Sequence, residues 1–270
     1  MTGIFKVTAL PLTHELAGVR FLVQTTDKTS LLPLEDIELN ADSISYLGNL
    51  IGMKERTQKD NNSDFLTVLD FDGVLGNGTN DDTSGLKKAL AGGNKKLYFP
   101  PGSYIVTDTL QVFKNTEILL HPSAIIYDRN PAGIVFVNGT IGNGSYATGY
   151  NGDGNIIIRG GCIDHSYNKA NGITSISAAF GHAKDILVES VRHVDNIQGH
   201  HVEFNAVKNG VIRWNMFSGL DPTTAQGTRE YINIDFAYAG GFPEFGSYDF
   251  TPCVDILIDS NYFDGGDCGV

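Results

Sequence analysis

Residues 64–112 read DFLTVLDFDGVLGNGTNDDTSGLKKALAGGNKKLYFPPGSYIVTDTLQV, and this stretch decides the fold. Asp82 and Thr83 offer side-chain oxygens to a helix N-terminus, and Leu86, Ala89 and Leu90 recur on one helical face. The pair Gly92-Gly93 ends that helix. Leu97-Tyr98-Phe99 is an apolar strand, Pro100-Pro101-Gly102 a turn, and further strands are expected around 104–106 and 110–112. A short amphipathic helix ahead of many short strands suits a solenoid, whose open apolar end needs a lid.

The rest of the chain repeats one theme. NIIIRGGCID, DILVESVRHVD, GVIRWNMFSGLD and DILIDSNYFDG each join an apolar run to a polar turn, with Ile156, Ile186, Val211 and Ile256 as anchors. Their spacing suits coils of roughly 20–30 residues with one long insertion. That insertion holds GLDPTTAQGTRE and YAGGFPEFGSYDFTP, and long loops on a rigid scaffold are where binding sites gather.

A second strand precedes each of the last three repeats: ITSISAAF, HVEFNAV and YINIDFA. Stacking them puts Ile176, Val202 and Ile232 in one inward row and Ala178, Phe204 and Ile234 in the next. Side chains alternate along a strand, so the residues between point outward. The outward rows are Ser175/His201/Tyr231, Ser177/Glu203/Asn233 and Ala179/Asn205/Asp235. Glu203 and Asp235 are then diagonal neighbours, about 8 Å apart at Cα, within reach of the roughly 5–9.5 Å that separates glycosidase carboxyl pairs. One carboxyl held protonated and one ionised is the requirement for general acid–base cleavage. His201 would flank the pair, Tyr231, Asn233 and Asn205 would contact a ligand, and Phe242, Phe245 and Tyr248 of the long loop would stack on sugar rings. The alternative reading is a solvated sheet face.

Weaker patterns have bland readings beside the sharp ones. Asp164, Asp195, Asp221 and Asp264 form either a calcium ladder or a row of turn residues bonded to local backbone. Calcium is possible but unsupported, and no other cofactor or metal is called for. Asp164-His165 is a candidate dyad. Trp214 is a sugar platform or a core aromatic, and a solenoid interior favours the core.

At 64–112 the pattern DFDGVLGNGTNDDTSGLKKAL…LYFPPGSYIV resembles the start of pectate-lyase-like, glycoside-hydrolase-28-related right-handed parallel β-helix domains. A looser likeness continues to the C-terminus. Such domains occur in phage tailspikes and in secreted polysaccharide-degrading enzymes, and in phage proteins they usually form trimers. The polygalacturonase motifs NTD, a DD pair, GHG and RIK are absent, which argues against that mechanism. Residues 8–39, TALPLTHELAGVRFLVQTTDKTSLLPLEDIEL, resemble the short N-terminal modules of phage tail fibres.

Three parts are therefore expected: a β-rich attachment module at 1–40, a helical neck or linker at 41–62, and a β-helix at 63–270. The neck rests on the stripe Ile44, Leu47, Leu50 and Ile51. The β-helix is expected to be incomplete at its C-terminus, because the chain stops just after a strand. The formal net charge of −12 repels nucleic acid and anionic membrane. No apolar run approaches the ~20 residues of a membrane span. Met1 to Lys6 lack a secretory start, so synthesis in a cytoplasm is expected, and the resemblance to phage proteins implies a host cytoplasm and a place on the virion. Cys162, Cys253 and Cys268 are read as reduced core residues. The implied function is a phage tail protein that binds, and as a hydrolase or lyase depolymerises, bacterial surface polysaccharide, joined to other tail proteins as a homotrimer. The alternatives are a non-enzymatic receptor-binding virion protein and a secreted bacterial polysaccharide lyase or hydrolase.

Overall fold

The computed structural model describes residues 65–139, 147–220, 230–240, 245 and 247–265, with the backbone of 20–24, 29–33, 45–46 and 56–57. The chain divides into two units, Met1–Asp64 and Phe65–Val270. In the first, Arg20–Gln24 pairs antiparallel with Thr29–Pro33, and Ser45–Tyr46 pairs antiparallel with Arg56–Thr57. The stripe Ile44, Leu47, Leu50 and Ile51 lies outside the described residues.

The second unit is a right-handed parallel β-helix. Each coil contributes to three faces. The first face stacks Leu110–Val112, Ile134–Asn138, 176–181, 202–205 and Ile232–Asp235. The second stacks Lys95–Phe99, 116–120, 156–160, 186–189, 210–213 and Val254–Asp259. The third stacks Gly102–Val106, 124–128, 162–164, Arg192–Asn196, Met216–Leu220 and Tyr262–Asp264.

Register turns sequence into columns. Leu97, Ile118, Ile158, Val188, Ile212 and Ile258 stand above one another inside the second face. Burial of these aliphatic columns is the main stabilising term, at about 25 cal/mol per Å² of apolar surface. The anchor row differs from the expected one by a residue: Gly210, not Val211, sits between Ile186 and Ile256. A Cβ at Gly210 would lie 2.5 Å from the Phe204 ring and 2.9 Å from Ile256, so the large neighbours exclude any side chain there.

The corner before the second face carries a ladder. Asn94, Asn115, Asn155, Asp185, Asn209 and Asp255 all have φ between 53° and 60°. Short Asn and Asp side chains tolerate this left-handed conformation. Rungs bond to one another: Asn115 Nδ2 donates to Asn94 at 2.7 Å, Asn155 to Asn115 at 3.0 Å, and Asn209 to Asp185 at 3.0 Å. A charge ladder runs up the same face from Lys96 through Glu117, Arg159 and Glu189 to Arg213.

The lid is the helix Thr83–Leu90, which buries Leu86, Ala89 and Leu90 on the first coils. Asp82 does not cap this helix with its side chain. Its buried carboxylate instead accepts the backbone N–H groups of Leu75 at 2.6 Å, Gly76 at 3.1 Å and Ile105 at 3.1 Å. It ties the entry loop to the third face. Asp81 performs the local work, accepting from the Thr83 N–H at 3.0 Å and from the hydroxyls of Thr83 and Thr107. We expect Asp82→Ala to strand three donors and to cost about 3–5 kcal/mol, read as a lower urea midpoint with an unchanged slope.

Candidate functional site

Outward positions on the first face form two adjacent columns. One runs Gln111, Val137, Ala179, Glu203, Asn233, and the other Gly181, Asn205, Asp235. Between the last two strands the register is the expected one: Glu203 opposes Asn233 and Asn205 opposes Asp235. Glu203 and Asp235 are therefore diagonal neighbours. The preceding strand is shifted by two residues from expectation. Ala178, not Ile176, opposes Val202, and Ala179 rather than Ser177 stands beside Glu203.

The chain leaves the first face after Asp235 and returns at Cys253. Along this excursion Phe236 stacks on Tyr238 at 4.6 Å and on Phe250 at 6.0 Å between ring centroids. Phe236 and Phe250 are exposed, Phe250 by 69%. Two backbone bonds, Ala237 N–H to Thr251 O and Phe250 N–H to Ala237 O, hold the arms together. Tyr238 bonds to Asp235; the charge of Asp235 foremost, then burial and the more distant Glu203, push its phenol up. Burial pushes His200 down, against the opposing charges of Glu230 and Asp235. His200 Nδ1 lies 3.4 Å from Glu230. Acids and aromatic rings thus share one edge of the face.

The same excursion roofs the columns. Phe245 is buried with Ile134, Val137 and Ala179. Its ring occupies the space over Gly181, where a Cβ would come within 2.2 Å of it. Further along, Gly149 N–H donates to Asp249 Oδ2 and Tyr150 Oη donates to Pro252 O, both at 2.8 Å. Glu203 and Asn205 consequently lie in the floor, each 3% exposed. Asn205 Nδ2 is buried without a hydrogen-bond partner among the described residues.

The expected site residues separate into groups. Glu203, Asn205, Asn233 and Asp235 come together on the outer face. Tyr248 is exposed, Phe245 serves as roof, and Phe242 lies outside the described residues. His201 and Tyr231 do not face outward: both are fully buried. They precede the paired segments at a bend, where strand alternation does not yet apply. Their rings stack at 5.5 Å inside the solenoid, and Tyr231 Oη donates to the carbonyl of Asp264. Phe236 and Tyr238 were missed. Their signal is the FAY that directly follows YINID, aromatics placed where the chain quits the coil.

The interior holds further imidazoles. His193 occupies the third-face column Tyr104, Ile126, Ile163, His193, Phe217, Phe263, and stacks on Phe217 at 4.6 Å and 7°. Among the described residues neither ring nitrogen of His193 or His201 has a hydrogen-bond partner. His165 pairs inward with Asp128 at 2.7 Å and Ser177 at 2.8 Å, rather than with Asp164. All three are fully buried, so this Asp–His–Ser arrangement ties coils together where substrate has no access. Asp164 accepts the Ser166 N–H, and Asp195 pairs with Lys169 at 2.9 Å. Asp221 lies outside the described residues, among which no group of three metal-ligating side chains converges.

Trp214 is outside, not in the core. It is 54% exposed, with the Arg213 guanidinium 4.4 Å from its ring centroid. It stands in a corner column with Gly160, Ser190 and Ser260, all at positive φ, which turns its side chain away from the interior. Cys162 and Cys253 are free thiols; Cys253 is half-buried and accepts the Val207 N–H at the seam where the excursion ends.

A parallel β-helix whose outer face sets carboxyl side chains beside stacked aromatic rings on a loop is the class these observations define. No family model matches the chain. Plasmin and fibronectin-binding protein A of Streptococcus pneumoniae is 27% identical over 228 residues, covering 75% of this chain and 31% of that protein. The chain thus spans about a third (31%) of that relative's length. The crystal structure of PfbA, a surface adhesin of Streptococcus pneumoniae, matches with a TM-score of 0.64 at 24% identity, over 75% of this chain and 49% of that one. The tailspike protein of E. coli bacteriophage HK620, solved in complex with a pentasaccharide, matches with a TM-score of 0.59 at 14% identity, over 84% of this chain and 40% of that one. These structural likenesses establish the solenoid fold. Among the described residues no helix is long and apolar enough to cross a membrane.

Proposed function

We propose that the chain recognises a bacterial surface polysaccharide in the groove on its first face and cleaves it with Glu203 and Asp235. The observation that carries this reading is the diagonal carboxyl pair beside the exposed stack of Phe236, Tyr238 and Phe250. Aromatic rings take the apolar faces of sugars. Asn205 Nδ2, a buried donor without an acceptor among the described residues, suits a sugar hydroxyl. In cleavage one carboxyl protonates the glycosidic oxygen while the other acts as base or nucleophile. The likeness to a tailspike solved with a pentasaccharide supports a place on a phage tail; assembly of three copies and attachment to other tail proteins through residues 1–40 are part of the same proposal.

The sequence likeness to PfbA favours a second reading, a bacterial surface adhesin that binds without cleaving. Incubation with host polysaccharide separates the two. New reducing ends alone mark hydrolysis; reducing ends with unsaturated-sugar absorbance mark elimination; retention without either marks the adhesin. The double variant Phe236→Ala/Phe250→Ala is expected to weaken retention on immobilised polysaccharide about tenfold. Wild-type protein that retains no host polysaccharide would overturn the glycan reading. A mass in solution of three chains supports the tail assembly, and one chain counts against it.

A further inference from the structure

We infer that His182 is a proton-dependent latch that holds the roof over the groove. This is a regulation of the proposed glycan site and rests on that reading for its consequence, though not for its geometry. His182 follows Gly181 at the corner of the first face, with φ of 49° and 1% exposure. Its Nδ1 lies 2.9 Å from the carbonyl oxygen of Gly149, and its Nε2 lies 2.9 Å from the carbonyl oxygen of Ser247. Carbonyl oxygens only accept. A neutral imidazole has one N–H and one lone pair, so it satisfies one carbonyl and turns its lone pair on the other. The imidazolium donates to both.

The two carbonyls belong to the segments that form the roof. One is the 147–151 turn; the other is the excursion at 247–253, which packs Phe245 over Gly181 and buries Glu203 and Asn205. Beside the imidazole, these segments meet through Gly149 N–H to Asp249 and Tyr150 Oη to Pro252. The charge of the imidazole acts on Asp249 of the excursion, Tyr150 of the facing turn lies in the field of Asp249, Cys253 and Asp255, and Lys184 lies two residues along the same strand. Burial raises the Asp249 carboxyl, but the Gly149 N–H, the Thr251 contacts and the charge of His182 outweigh it and bring it below the usual range. The imidazolium therefore has a carboxylate nearby on the segment it holds.

Deprotonation removes one of the two donors and leaves a lone pair against a carbonyl, so the roof opens as pH rises. The test is amide exchange across 247–253, corrected for the intrinsic pH dependence of exchange. In the wild type, protection is expected to be about tenfold lower where the ring is neutral than where it is an imidazolium, while the 202–205 strand stays protected. His182→Gln has one donor group and one acceptor, and its protection should be low and flat with pH. Imidazole nitrogen NMR provides the direct reading: both ring nitrogens of His182 protonated while the roof is closed. Protection that is flat in the wild type, or a neutral His182 in the closed state, overturns the latch. The functional consequence is read separately, as polysaccharide retention that strengthens at high pH in the wild type, when the open roof uncovers Glu203 and Asn205, and that stays flat in His182→Gln. Absence of retention at every pH would count against the glycan site and leave the exchange result standing.

Discussion

Between about pH 6.5 and pH 4.5 this solenoid is expected to lose about 2 kcal/mol of stability through His193 alone. Burial foremost, then the neighbouring His165, pushes His193 from 6.5 down to about 3. The folded state therefore resists a proton that the unfolded chain takes readily. The stability is fully present above pH 6.5 and is lost as pH falls from there toward 3, at about 1.4 kcal/mol per unit. His201 is pushed well below 6.5 by the same burial, and next by the imidazoles of His165, His193 and His200. It adds a loss of the same sign as pH falls. Both rings act as flat aromatics, His193 on Phe217 and His201 on Tyr231, so phenylalanine preserves the stack and removes the titration. Urea unfolding of His193→Phe/His201→Phe at a series of pH values should show a midpoint that falls much less than the wild type's between pH 6.5 and 4.5, the remaining slope including that of the depressed His200. A double variant that declines in parallel with the wild type would refute the assignment.

Glu203→Gln and Asp235→Asn are each expected to lower polysaccharide cleavage by about 10²–10⁴-fold, with retention on the polysaccharide changed far less. The expectation follows from shape. Each substitution keeps the volume and one oxygen, so the floor of the groove and the bond from Tyr238 to position 235 persist. What is lost is the ability to hold or release a proton. Thermal unfolding checks that the fold survives, and reducing-end assays at matched binding measure the loss. Full activity in both variants would remove the pair from the mechanism and leave the aromatic edge as a binding surface.

Much of this was legible from residues 64–112 and the repeats that follow. The lid helix, the strand order and the pairing of 202–205 with 232–235 follow from local patterns, because period two and a repeated apolar run survive in any coil that stacks. Other features follow no local pattern. Ile176 and Ala178 are equally apolar, so either could oppose Val202, and only the packing of coil on coil chooses. His201 and Tyr231 look outward by alternation but sit at a bend, where the ring direction is set by the cavity beneath. Phe245 looked like a sugar platform; it became a roof because Gly181, 64 positions earlier, left a space for its ring. The Asn ladder was visible as Asn or Asp ahead of each apolar run, but its meaning depends on every rung reaching the same corner.

The amino-acid sequence alone determined that this chain coils as a parallel solenoid with a helical lid, since periodicity, turn residues and capping chemistry act over a few neighbouring residues. Only the tertiary structure decided which polar side chains reach solvent. Burial depends on the coil above, the coil below and the excursion laid across them. That is why two imidazoles ended inside without hydrogen-bond partners among the described residues, a tryptophan outside, and a glutamate and an asparagine in the floor of a roofed groove.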